Sequence, residues 1–123
     1  MNKDNAEKIV GISIARANPR GRAVVEESIK DYLNSVDYKG DFPNVIFDDS
    51  YICGGYGKYN DEILETIKEV MSKEGIPLNT TYTGKAFWGM KEYLNKNNIS
   101  NKKILFIHTG GTPLFFDDLK EIK

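Results

Sequence analysis

One cysteine and one histidine among 123 residues leave little material for metal or disulfide chemistry. Cys53 has no intramolecular partner for a bridge, and with His108 alone it cannot assemble a zinc cluster. Neither sign of charge dominates: 17 Lys and Arg stand against 18 Asp and Glu, a formal net charge of -1. Without a basic face there are few counterions to release from a polyanion, which argues against nucleic acid as a partner. No stretch approaches the roughly twenty apolar residues of a membrane helix, and Met1 to Lys8 is polar and charged. The expectation is a chain with no export signal and no membrane span, in a reducing, cytoplasmic setting. Internal repeats, low-complexity tracts and interdomain linkers are missing as well. What remains, 40% hydrophobic and 28% charged residues, is the composition of one soluble globular domain over residues 1–123. A chain of this length buries about two thirds of its unfolded surface, enough for a core without staples.

The pattern along the chain alternates. Ile9 to Ala15 is a short, nearly continuous β-branched run, which predicts a strand covered on both faces, as in a parallel sheet. After the punctuation of Asn18-Pro19-Arg20-Gly21, Val25, Ile29, Tyr32, Leu33 and Val36 recur at helical spacing. Asn44 to Phe47 predicts a second strand, and Asp48 to Asn60 a long loop holding Gly54, Gly55 and Gly57; loops of that length are often functional. Asn60 can cap a helix striped by Ile63, Leu64, Ile67, Val70 and Met71, with Asp61 and Glu62 at its positive end and Gly75 after it. A further helix carries Ala86, Met90, Tyr93 and Leu94 on one side, with Phe87 and Trp88 packing beneath it. Lys103 to His108 predicts a third, buried strand, Thr109 to Pro113 a loop, and Leu114 to Ile122 a final helix. The order β-α-β-loop-α-α-β-α implies an α/β fold with a mainly parallel sheet flanked by helices.

Ligands of open parallel sheets bind beyond the carboxyl ends of the strands. One segment there, His108-Thr109-Gly110-Gly111-Thr112, offers small residues where backbone N–H groups or a hydroxyl can approach a flat or anionic ligand; the same glycines also suit an ordinary tight turn. In Gly54-Gly55-Tyr56-Gly57 the glycines let a phenol project from a closely packed loop, and equally a tyrosine there can cap the core. Thr81-Tyr82-Thr83-Gly84-Lys85 puts Tyr82 and Thr83 at the mouth of a helix, where hydroxyls are also common caps. His108 reads as a hydrogen-bonded structural residue, Cys53 as an inert thiol with no cation near it in sequence, and Asp117, Asp118 and Glu121 as a solvated helix face rather than a metal site.

Taken together, Gly55-Tyr56-Gly57 with Asn60, Tyr82-Thr83-Gly84-Lys85-Ala86, and Leu105 to Gly111 with Pro113 resemble the C-terminal part of the D-cysteine desulfhydrase and 1-aminocyclopropane-1-carboxylate (ACC) deaminase family. These are pyridoxal-phosphate (PLP) enzymes of fold type II, the tryptophan synthase β-like fold. The resemblance covers nearly the whole chain and is weakest from Ala17 to Tyr51. It implies that Tyr56 and Tyr82 are catalytic and face the substrate, where a phenol can move a proton if its neighbours lower its pKa. It implies that Thr83, Thr109, Gly110 and Gly111 bind the cofactor, with the Thr109 hydroxyl beside the pyridine nitrogen; a neutral hydroxyl leaves the ring a weaker electron sink than a carboxylate would. The deaminase branch is expected to have a glutamate in place of Thr83 and a leucine in place of Thr109. Both threonines match the desulfhydrase branch, which implies β-elimination from a cysteine-like amino acid to pyruvate, ammonia and sulfide. Tyr59 stands where the family usually has proline, and Asn79-Thr80-Thr81 replaces the common Asp-Pro-Val.

In such enzymes the Schiff-base lysine, the substrate-carboxylate segment and the phosphate loop lie upstream of the matched region. Lys85 does not correspond to the lysine that binds the aldehyde. The implied reading is a C-terminal fragment, inactive alone, that pairs with a separately encoded N-terminal half or with itself. Two others stand beside it: a non-catalytic α/β interaction subunit, and a flavodoxin-like domain binding an anion at Thr109 to Thr112.

Overall fold

The computed structural model describes residues 8–122. Strand β1 (Ile9–Ile12) leads into helix α1 (Arg20–Ser35), which returns the chain to β2 (Val45–Asp48). The strands pair in parallel, Ile9 opposite Val45 and Ile12 opposite Asp48. Helices α2 (Asp61–Glu74), α3 (Thr83–Lys96) and α4 (Thr112–Ile122) complete the order. The predicted α/β class with a parallel sheet holds.

Two strand expectations need correction. Residues 103–108 belong to no strand, and the sheet formed by the described residues has only two members. The segment has the apolar content of a strand and lacks a neighbour, so Leu105 is 85% and Ile107 73% exposed. A strand is completed by hydrogen bonds from outside itself, which no local pattern supplies. For the same reason β1 is not covered on both faces: Ile9 is exposed, and the strand stops at Ile12 rather than reaching Ala15.

The core lies among the helices. Ile63, Ile67 and Val70 of α2 meet Leu78 in the following loop and Phe115 and Ile122 of α4, with Leu64, Phe87 and Trp88 packed against them. Helix α2 begins and ends as its sequence dictates. The Asn60 side chain accepts the Ile63 N–H at 2.9 Å, and Gly75, at φ 67°, closes the C-terminus in the left-handed conformation that glycine adopts without strain. Helix α3 comes close to β1, since a Cβ at Gly89 would stand 2.7 Å from Ile12 Cγ2.

On the surface, Glu69 joins α2 to α3, accepting from Lys73 at 2.7 Å and Lys91 at 2.8 Å. These lysines, Lys73 foremost, hold its carboxyl down at about 2 against an ordinary 4.5. A carboxylate whose pKa falls on folding stabilises the fold above its unfolded value and loses that effect as pH drops toward its folded one. Glu69→Gln is therefore expected to lower the thermal midpoint slightly at about pH 6, the deficit closing between about pH 4.5 and pH 2. Because the carboxylate is exposed, about 1 M salt should erase most of the difference; a deficit unchanged by acid and salt would refute the assignment.

Candidate functional site

Three loop segments meet at the N-terminal end of α3. The first is the Ile52 to Lys58 loop, in which Cys53, Gly54, Gly55 and Gly57 all have positive φ. It presents Tyr56, which is 64% exposed. The second is the turn entering α3, which presents Tyr82 at its N-cap. The two phenols come together although 26 residues separate them: their hydroxyls are hydrogen-bonded and their rings meet edge to face, centroids 5.8 Å apart. The bond to Tyr56 raises the Tyr82 phenol above its ordinary value, with burial and the neighbouring phenol adding to the effect. That direction is opposite to the lowered pKa on which the sequence-based role in proton transfer depends.

The third segment is the turn at Thr109, Gly110 and Gly111. Thr109 is exposed, and Gly110 (φ 103°) and Gly111 (φ 81°) are both left-handed. Nothing lies within 4 Å of a Cβ built on Gly110, so this side of the turn is open to a flat group. His108 braces it: Gly110 N–H donates to Nδ1 at 3.2 Å, which leaves the proton on Nε2 to donate to the Pro77 carbonyl, also at 3.2 Å. His108 is thus a structural residue, as its place in the sequence suggested.

Asn79 ties the second and third segments together, and the sequence reading gave it no role. Its side chain is almost fully buried. Oδ1 accepts the Tyr82 N–H at 2.7 Å, and Nδ2 donates to Thr83 Oγ1 at 3.0 Å and, more weakly, to the Gly111 carbonyl at 3.4 Å. Its own N–H donates to the same Thr83 hydroxyl at 3.0 Å. Thr83 is buried, so its oxygen forms the base of the turn rather than its open rim. The one available signal was Asn at the head of a turn, a residue type that bonds backbone two or three positions on. Nothing local announces its reach to Gly111.

Two further readings change. Asp118 is not simply part of a solvated face: it is half-buried, and its Oδ2 accepts the Thr80 N–H at 2.8 Å, fixing α4 to the turn before α3. Lys85 is fully buried with its Nζ on three main-chain carbonyls. Burial lowers its pKa, an effect that Cys53 partly offsets. Among the described residues no group of three or more His, Cys, Asp or Glu side chains is placed to hold a metal ion, and no helix is long and apolar enough to cross a membrane.

No protein-family model matches the chain. Its fold is that of part of a solved ACC deaminase homologue, with a TM-score of 0.76 and 33% identity over 92% of this chain and 34% of that one. A protein of Pyrococcus abyssi provisionally named 1-aminocyclopropane-1-carboxylate deaminase is 38% identical over 116 residues, 91% of this chain and 34% of its own. D-cysteine desulfhydrase of Yersinia pestis is 32% identical over 110 residues, 89% of this chain and 33% of its own. The class is thus an α/β unit homologous to a segment of these enzymes. Over that segment the chain is similar to ACC deaminase and D-cysteine desulfhydrase, and it spans about a third of the length of the curated relatives it matches.

Proposed function

We propose that this chain is the C-terminal portion of a PLP-dependent lyase or deaminase acting on small amino acids, most like D-cysteine desulfhydrase. The observation that carries the reading is the contact between the Tyr56 and Tyr82 hydroxyls, beside a turn that Asn79 holds to Gly111. Pyridoxal phosphate, when bound, supplies the electron sink for elimination at an amino acid's Cα and Cβ. Thr109 and the open face of Gly110 suit the edge and face of a planar heterocycle, with Gly111 and the buried Thr83 supporting them from beneath. One proton lies in the bond between the two hydroxyls, and the other is left for the leaving sulfur, the phenol that carries it being oriented by its neighbour. With one water consumed, a cysteine-like substrate gives pyruvate, ammonia and sulfide. The threonines at positions 83 and 109 favour this outcome over ring opening of a cyclopropane.

Lys85 does not fit the role of cofactor-bearing amine, because its N–H groups are already taken up by carbonyls. The exposed Leu105 and Ile107, on a segment with no strand beside it among the described residues, suit a surface completed by the remainder of the fold. In this reading the 123-residue chain alone neither binds PLP tightly nor turns over substrate. That remainder, joined to it or separately encoded, is its partner. The same exposed segment also supports a non-catalytic interaction subunit as the second reading.

An absorption scan with added PLP, combined with a sulfide assay on D-cysteine, tests this. The expected result is no stoichiometric band and no sulfide from the chain alone, and both when it is co-expressed with the other two thirds of a homologous desulfhydrase. A stoichiometric band with the chain alone, lost in Lys85→Ala, or sulfide release without the complement, would overturn it. An assembled complex that binds PLP but releases no sulfide would favour the second reading.

A further inference from the structure

Lys85 is an anomaly by ordinary energetics. Its side chain is fully buried on α3, and among its hydrogen-bond partners there is no carboxylate. Lysine is almost never fully buried without a charged partner, because leaving water costs the ammonium far more than neutral acceptors return. Here Nζ lies 3.0 Å from the Ile14 carbonyl, 3.0 Å from that of Ile52 and 2.8 Å from that of Gly55. Three convergent acceptors match the three donors of an ammonium, whereas a neutral amine has only two. The three carbonyls come from separate places: the turn after β1, the beginning of the glycine loop, and the residue immediately before Tyr56.

The glycine loop has reason to need such a tie. Positive φ at Cys53, Gly54, Gly55 and Gly57 gives it little conformational preference of its own. Its internal backbone bonds are few: Gly55 N–H to the Ile52 carbonyl at 3.0 Å and Lys58 N–H to the Gly55 carbonyl at 3.2 Å. The carbonyls of Ile52 and Gly55 are the two that Lys85 also grips. Lys85 lies one helical turn beyond Tyr82 on the same element. One head group thus fixes the stem of Tyr56 to the helix that presents Tyr82.

We propose that Lys85 is a positioning residue: its ammonium, caged by the carbonyls of Ile14, Ile52 and Gly55, sets the Tyr56 loop so that the two phenols meet. The proposal rests on the reading of Tyr56 and Tyr82 as the substrate-facing pair, yet its test needs no cofactor. Failure of the PLP experiment would therefore leave this one standing, and the reverse also holds.

The chain is labelled at tyrosine and phenylalanine, and ring-to-ring NMR cross-peaks are recorded at neutral pH. The wild type should show a Tyr56–Tyr82 cross-peak and, as an internal standard for folding, the Phe87–Phe106 cross-peak expected from rings 5.0 Å apart. Lys85→Met keeps the length and removes the charge. It should lose the tyrosine cross-peak and keep the phenylalanine one. Lys85→Ala should behave likewise, and n-propylammonium, which replaces the deleted atoms, should restore the tyrosine cross-peak where 1-propanol does not. A folded Lys85→Met that retains the Tyr56–Tyr82 cross-peak overturns the proposal, as does equal rescue by propanol, which would mean that volume alone matters. If Lys85→Met fails to fold, Lys85→Ala decides: recovery of both cross-peaks with propylammonium only supports the proposal, and recovery with neither compound or with both overturns it.

Discussion

Gly84→Ala is expected to destabilise the chain by about 2–3 kcal/mol, although helix propensity by itself argues for a gain of about 1 kcal/mol in the opposite direction. The steric term decides the sign. A Cβ at Gly84 would stand 2.5 Å from the Asn79 carbonyl oxygen and 2.7 Å from two carbons of Ile67. Ile67 is fully buried and has nowhere to retreat. The Asn79 oxygen is main chain, held at 2.8 Å by the Gly84 N–H itself. Relief therefore requires α3 to move off α2, which opens the core that Ile63 and Leu78 share with them. Urea unfolding should show a lower midpoint with an unchanged slope, the signature of lost stability rather than altered compactness. A midpoint at or above that of the wild type would mean that the two helices are not packed as tightly as described.

Asn79→Ala is expected to cost a similar amount, about 2–3 kcal/mol, for a different reason. The substitution deprives the Tyr82 N–H of its acceptor and removes one of two donors from the buried Thr83 hydroxyl. Buried polar groups left without partners cost about 1–3 kcal/mol each. Asn79→Asp separates the two losses. It retains an acceptor for Tyr82, and the Thr83 hydroxyl can turn to donate to the new carboxylate. The contact with the Gly111 carbonyl, however, becomes oxygen against oxygen. The expected order of urea midpoints is wild type, then Asp, then Ala. An alanine variant as stable as the wild type would remove Asn79 from the centre of the site.

Helix α2 could be read almost residue by residue, because each of its determinants is local: Asn60 at the cap, Asp61 and Glu62 in the first turn, the stripe from Ile63 to Val70, and Gly75 beyond the end. Residues 103–108 could not, since an apolar run states that a segment is able to pair and says nothing of what stands beside it. The contact between Tyr56 and Tyr82 was implied only by resemblance; no periodicity links two loops 26 residues apart. Asn79, Asp118 and Lys85 were illegible for the same reason. Each reaches backbone far away in the chain, and a polar residue in a loop or a lysine in a helix has the same local appearance whether it is solvated or anchoring. Roles set by short-range groups are written in the local sequence, and those set by long-range contacts appear only in the folded chain.

The apolar stretch around Leu105 carries its own safeguard. Lys102 and Lys103 stand directly before it, both exposed. If two copies of this chain joined edge to edge in parallel register, those ammonium groups would stack on their counterparts and repel. A foreign strand lacking lysines at that position meets no such penalty. The flanking charges thus disfavour in-register parallel growth from identical edges.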